Sequence, residues 1–166
     1  MSIKTIATAV LVTFGLASTS ILSAATVSNT MPVKITIQNA CNISTTAPTT
    51  LDFGTAGPLV ANVDQTATIT VTCTTGAGYN VGLDGGGAGA ANINARRMIN
   101  GTNQVGYQLY SDSARTTVWG TTIGTNTVAG TGNGAAQTLS VYGRVPPQTT
   151  PPAAVYNDTV NVTVTY

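Results

Sequence analysis

Apolar side chains recur at every second position in run after run of this chain. Met31, Val33, Ile35 and Ile37 alternate with Pro32, Lys34 and Thr36, and Ile69, Val71 and Cys73 alternate with threonines. Tyr79, Val81 and Leu83 form a third run. Val105, Tyr107 and Leu109 form a fourth, with Val118–Trp119 close behind. Leu139, Val141, Gly143 and Val145 follow, and Val160, Val162, Val164 and Tyr166 come last. Successive side chains of a strand point to opposite faces, so this period buries one face and leaves the other to water. Thr, Val and Tyr suit such a half-buried pleat. The separators are turn chemistry: Thr75–Gly78, Asp84–Gly87, Asn100–Gly101, Gly130–Gly134 and Pro146–Pro152. No window offers a capped amphipathic helix of useful length. The expectation is an all-β fold, a single antiparallel β-sandwich with one core between two sheets.

The residue inventory excludes most chemistry. His and Glu are absent and there are two Cys, so neither a Cys/His zinc site nor a Ser-His-Asp or Cys-His mechanism can be built. Six Lys+Arg against five acidic residues give a net charge of +1, which is no footprint for nucleic acid. No cofactor, no metal and no catalytic residue is expected, and the chain does not read as an enzyme. Asp84 and Asp112 stand beside turn residues, where Asp bonds its own backbone. Arg96–Arg97 reads as a solvated loop, and Arg115 and Arg144 as partners for Asp112 or another carboxylate. Trp119 reads as core or sheet packing. The glycine runs lack the helix start and Lys of a phosphate loop.

Residues 1–25 carry Lys4, an apolar run from Ile6 to Leu16, then small residues ending in Ser23–Ala24–Ala25. This is the layout of a secretory signal peptide cleaved after Ala25. A membrane anchor fits less well, because Ser18–Thr19–Ser20 interrupts the run. Export implies an oxidising compartment, where Cys41 and Cys73 read as one disulfide rather than two free thiols. Closing that loop is worth roughly 3.5–4 kcal/mol by chain entropy.

Two segments do not behave as ordinary sandwich ends. The final alternating run stops at Tyr166, although an apolar strand there wants a partner on each side. Residues 26–37 form an alternating arm ahead of the first cysteine, about 40 Å long if extended at roughly 3.3 Å per residue. The arm either pairs within its own domain or leaves to complete a neighbouring molecule. Periodicity does not choose between the two.

The ordered set of motifs resembles the spore coat protein U domain. It comprises Cys41-Asn42-Ile43, Leu51-Asp52-Phe53-Gly54, Ile69-Thr70-Val71-Thr72-Cys73 and Tyr79 to Gly86, then Tyr107 to Asp112 with Ala114-Arg115-Thr116 and Trp119-Gly120. Val141 to Pro146 and Tyr156 to Tyr166 complete it. That family includes pilin subunits of archaic (Csu-type) chaperone–usher pili and secreted spore-coat-like proteins. The resemblance implies an incomplete immunoglobulin-like antiparallel β-sandwich of pilin type over 38–166, with an N-terminal donor-strand arm over 26–37. A periplasmic chaperone would fill the open groove first. At an outer-membrane usher the arm of the next subunit would replace it, a form of β-augmentation. Met31, Val33, Ile35 and Ile37 would be the donor residues, although Pro32 lacks one ladder donor. Val160, Val162, Val164 and Tyr166 would edge the acceptor groove, and the disulfide would tie the first core strand to the second. The implied function is a structural subunit of a cell-surface pilus supporting adhesion and biofilm formation, its partners being the chaperone, the usher and neighbouring pilins. The alternative is a secreted, self-complete spore-coat-like or matrix protein. A tip adhesin ranks lower, because the chain has one domain's length and keeps the arm.

Overall fold

The computed structural model describes residues 24–44, 50–88 and 92–166. The leader expected over 1–25 lies outside the described residues but for Ala24 and Ala25. The chain divides into two units, Met1–Ile35 and Thr36–Tyr166. Residues 24–35 carry no helix or strand, and Met31, Val33 and Ile35 are exposed. Among the described residues the second unit holds nine strands, and there is no helix.

The strands are β1 (Cys41–Ile43), β2 (Val63–Cys73), β3 (Gly78–Leu83), β4 (Arg97–Asn100), β5 (Asn103–Gly106), β6 (Gln108–Tyr110), β7 (Val128–Thr131), β8 (Ala136–Val145) and β9 (Val162–Thr165). One sheet runs β1-β2-β8-β6, a second β7-β3-β9, and β4-β5 form a hairpin. All pairings are antiparallel. The β2–β8 ladder, from Val63↔Val145 to Thr72↔Ala136, is the long axis of the body. Ala67, Ile69, Val71 and Cys73 on β2 face inward, and so do Val141 and Val145 on β8. Opposite them stand Tyr79, Val81 and Leu83 of β3. Trp119 is fully buried between the two layers and donates its indole N–H to the Val81 carbonyl. The expected sandwich with one core is therefore present.

Periodicity misplaced some boundaries. The run Val105–Leu109 is not one strand. It breaks at Tyr107, so that β5 pairs with β4 while β6 pairs with β8. Val118 makes only an isolated bridge to Tyr110. Val160 and Tyr166 flank β9 rather than belong to it. The β4–β5 loop turns at Gly101, whose φ of 58° suits glycine because a Cβ is disfavoured there.

Candidate functional site

The site is a sheet edge. β9 pairs with β3 on one side, through Val162↔Leu83 and Val164↔Val81, and among the described residues no strand pairs with its other side. Val162 and Val164 are half-buried and pack against the core, while Thr163 and Thr165 are exposed. The edge thus presents free backbone groups beside an apolar face, a template for another strand. Val160 is also half-buried against the core, and Tyr166 is exposed.

Beside this edge the two sheets part. A cleft of about 1130 Å³ opens between them, lined by Leu51, Phe53, Leu83, Tyr107, Val145, Val160 and Val162 among others. Its floor is the inner face of β8. Gly143 leaves room there for Leu51 and Phe53, since a Cβ would stand 2.7 Å from Leu51 Cδ2 and 3.0 Å from Phe53 Cζ. The Phe53 ring meets Tyr107 edge-on at 6.2 Å. Sequence reasoning noticed Leu51-Asp52-Phe53-Gly54 as a motif but did not place it in the groove. The available signal was the alternation of two large apolar residues across Asp52, whose carboxylate accepts the Gly54 N–H.

The opposite end of the body is closed. β1 pairs with the end of β2 in the register Cys41↔Cys73, and the two cysteines form a disulfide with S–S 2.04 Å. β1 also touches β9 there. The segment preceding β1 is tied down by Thr74, whose hydroxyl accepts the Ala40 N–H and donates to the Gln38 carbonyl. Ile37 itself is exposed.

Polar groups fix the approach to β9. Asp84 accepts hydrogen bonds from the Gly86 N–H and from the N–H and side-chain amide of Asn161. Burial pushes its pKa up, but these bonds outweigh that and hold it below the usual carboxylate value. Asp158 accepts from the Tyr107 hydroxyl at 2.7 Å and from the Ala88 N–H. Burial, then the Asp158 carboxylate, drives the Tyr107 phenol far above its ordinary pKa, so it remains a donor.

Arg96 corrects the expectation of a solvated loop: it is 1% exposed. Nε donates to the Asp84 carbonyl, Nη2 to the carbonyls of Leu83 and Trp119, and Nη1 to Gln108 Oε1. The guanidinium therefore stitches the end of β3 to the strand-free segment carrying Trp119. On the outer face, Arg144 makes a two-pronged contact with Asp64, and Arg115 lies 3.4 Å from the same carboxylate. The partner of both is thus Asp64, not Asp112, which caps the backbone at Thr116 and Thr117. Among the described residues no group of three His, Cys, Asp or Glu could hold a metal ion.

The body is an all-antiparallel sandwich in which the edge strand β9 stands beside an apolar cleft. The family model described as the Spore Coat Protein U domain matches residues 10–163. The chain belongs to the spore coat protein U domain family. Its sequence is 36% identical to Protein U of Myxococcus xanthus over 178 aligned positions, covering 99% of each chain. Its fold is similar to a chain of the CsuC–CsuE chaperone–tip adhesion subunit pre-assembly complex from the archaic chaperone–usher Csu pili of Acinetobacter baumannii. There the TM-score is 0.56 at 21% identity, covering 79% of this chain. The likeness extends over 40% of that solved chain. This spore coat protein U domain therefore has the pilin-type sandwich that its motifs implied.

Proposed function

We propose that this spore coat protein U domain is a structural subunit of a surface fibre assembled by donor-strand exchange. The observation that carries the reading is the unpaired edge of β9 standing over an apolar cleft, in a chain that also exposes Met31, Val33, Ile35 and Ile37 at period two. Those four side chains are the donors. Val160, Val162, Val164 and Tyr166 are the acceptor edge. Burying four such side chains is worth roughly 6–12 kcal/mol gross, before the ladder of backbone hydrogen bonds. The contact joins two different surfaces head to tail, so it extends into a filament rather than closing. The similarity to a chain of a chaperone–tip adhesion subunit complex supports a periplasmic chaperone as the first occupant of the groove. An outer-membrane usher would then exchange it for the next subunit, and the fibre would serve adhesion and biofilm formation at the cell surface.

The test is to delete residues 26–37 and run unboiled samples on a denaturing gel. The full chain gives a ladder that collapses on boiling, and the deletion gives monomer. A ladder from the deleted chain would overturn the donor assignment. A second reading, a self-complete secreted coat or matrix protein, draws on the end-to-end match to Protein U. It requires a stable monomer without any chaperone, at concentrations where the fibre subunit associates.

A further inference from the structure

The chain holds the dipeptide Asn-Gly twice, at Asn100–Gly101 and Asn133–Gly134, and all four residues are exposed. Asparagine amides are chemically labile. A following glycine makes them more so, because no Cβ hinders its backbone nitrogen from reaching the side-chain carbonyl carbon. The fold treats the two pairs differently. At the second pair both reacting groups are engaged. The Gly134 N–H donates to the Cys73 carbonyl at 3.0 Å, and Asn133 Oδ1 accepts the Ala135 N–H at 2.9 Å. Space is short there as well, since a Cβ at Gly134 would stand 2.8 Å from Thr75 Oγ1. At the first pair the Gly101 N–H has no hydrogen-bond partner among the described residues, and Asn100 Oδ1 accepts nothing from them. Beyond the chain neighbours, no heavy atom lies within 4 Å of where a Gly101 Cβ would stand. The Asn100 side chain makes one hydrogen bond among the described residues, from Nδ2 to the Val155 carbonyl at 2.9 Å. Ile99 and Asn157 exchange backbone hydrogen bonds beside it. These contacts dock the β4–β5 hairpin on residues 155–157, which are part of the cleft wall.

We propose that Asn100 is a site of spontaneous deamidation that frees the hairpin from the cleft wall, and that the fold protects Asn133. The Gly101 nitrogen gives up its proton to solvent and bonds to Asn100 Cγ. The Cγ–Nδ2 bond breaks, and ammonia leaves with a proton from solvent, giving a cyclic imide. Water then opens the imide at either carbonyl, to aspartate or to isoaspartate. In sum one amide and one water become one carboxylate and one ammonium ion. A carboxylate is an acceptor only, so either product loses the donor to Val155 and sets negative charge against its carbonyl. Isoaspartate also routes the main chain through the side-chain carbon, which lengthens the turn at Asn100↔Asn103. The chemistry is the same whether or not the chain polymerises, so it stands apart from strand exchange.

The full chain is aged in heavy-oxygen water at mildly alkaline pH, folded in one sample and in urea in another, and then digested with trypsin in ordinary water. Asn100 falls in peptide 98–115 and Asn133 in peptide 116–144, so the two sites are read apart by mass. Each site's rate of label uptake in the folded chain is divided by its rate in urea. That ratio is expected to be at least about tenfold larger at Asn100, because the hydrogen bonds holding the second pair must first open. Equal ratios, a larger ratio at Asn133, or no label at Asn100 in the folded chain would overturn the site. Release of the hairpin is read on Asn100→Asp, which carries one of the two products. Amide exchange at Ile99 and Asn157 is expected to quicken by about tenfold or more, with Ile69 and Val71 in β2 unchanged. Unaltered exchange at Ile99 and Asn157 would show that the hairpin stays docked, against the proposal.

Discussion

At the scale of single residues, Arg96 carries the largest consequence. A buried guanidinium is costly unless its donors are met, and here Leu83, Asp84, Trp119 and Gln108 meet them with the planar fork that only Arg supplies. The Ile93 carbonyl is a fifth acceptor, so Arg96→Lys, with three donors, leaves at least two unpaired, and each costs about 1–3 kcal/mol. The expected outcome is a loss of about 2–6 kcal/mol, read as a lower urea midpoint with an unchanged slope. The carboxylates set the pH response. At Asp64 the Arg144 hydrogen bond, and at Asp112 the Thr117 N–H, are the largest influences; both groups, like Asp84, are held below the usual value. A carboxylate depressed in the folded state stabilises above its unfolded pKa and loses that contribution as pH falls through the folded value. With no His in the chain, stability is expected to be flat from about pH 5 to 8 and to decline below about pH 4. Thermal midpoints across that range check it, and a midpoint that steps near pH 6.5 would contradict it. Arg96 itself could not be read from sequence. Adjacent arginines look alike on paper, and only the return of the Trp119 segment over β3 buries one of them.

At the scale of elements, the arm and β9 form the pair to test. Lys34 sits between Val33 and Ile35, and every other Lys or Arg beyond residue 25 lies in the folded body. Trypsin is expected to cut the free subunit after Lys34 quickly. In the proposed fibre the same bond would lie in a hydrogen-bonded strand, and cleavage is expected to slow by at least about a hundredfold, as the local opening cost dictates. Mass spectrometry of timed digests measures both. Equal rates would mean that the arm stays outside the groove. The elements themselves were largely legible, because period-two alternation survives wherever a strand covers a core: β2, β3 and β8 each contain an expected run and extend beyond it, and β9 falls inside one. The run from Val105 to Leu109 was misjudged because alternation records which face is buried, not which strand lies alongside. At Tyr107 the chain passes from one partner to another without losing its inward rhythm.

At the scale of the whole molecule, the body is a sandwich whose second sheet stops one strand short. Such a surface exposes apolar area and unpaired backbone, so the isolated body is expected to bind a hydrophobic dye. A synthetic peptide of residues 26–37 is expected to quench that binding and raise the unfolding free energy. A ligand at a hundred times its dissociation constant adds about 2.7 kcal/mol. Calorimetry with the peptide and with a shuffled control measures the effect, and an equal shift from the shuffled peptide would contradict strand-specific insertion. Alternation and turn residues are local properties written in adjacent positions, and from them the all-β class and the two suspect ends followed directly. Two things required the folded chain: the burial of Arg96, and the placing of Leu51 and Phe53 beneath Gly143. Each depends on segments far apart in sequence meeting in space, and hydrophobic rhythm carries no record of which distant segment it will meet.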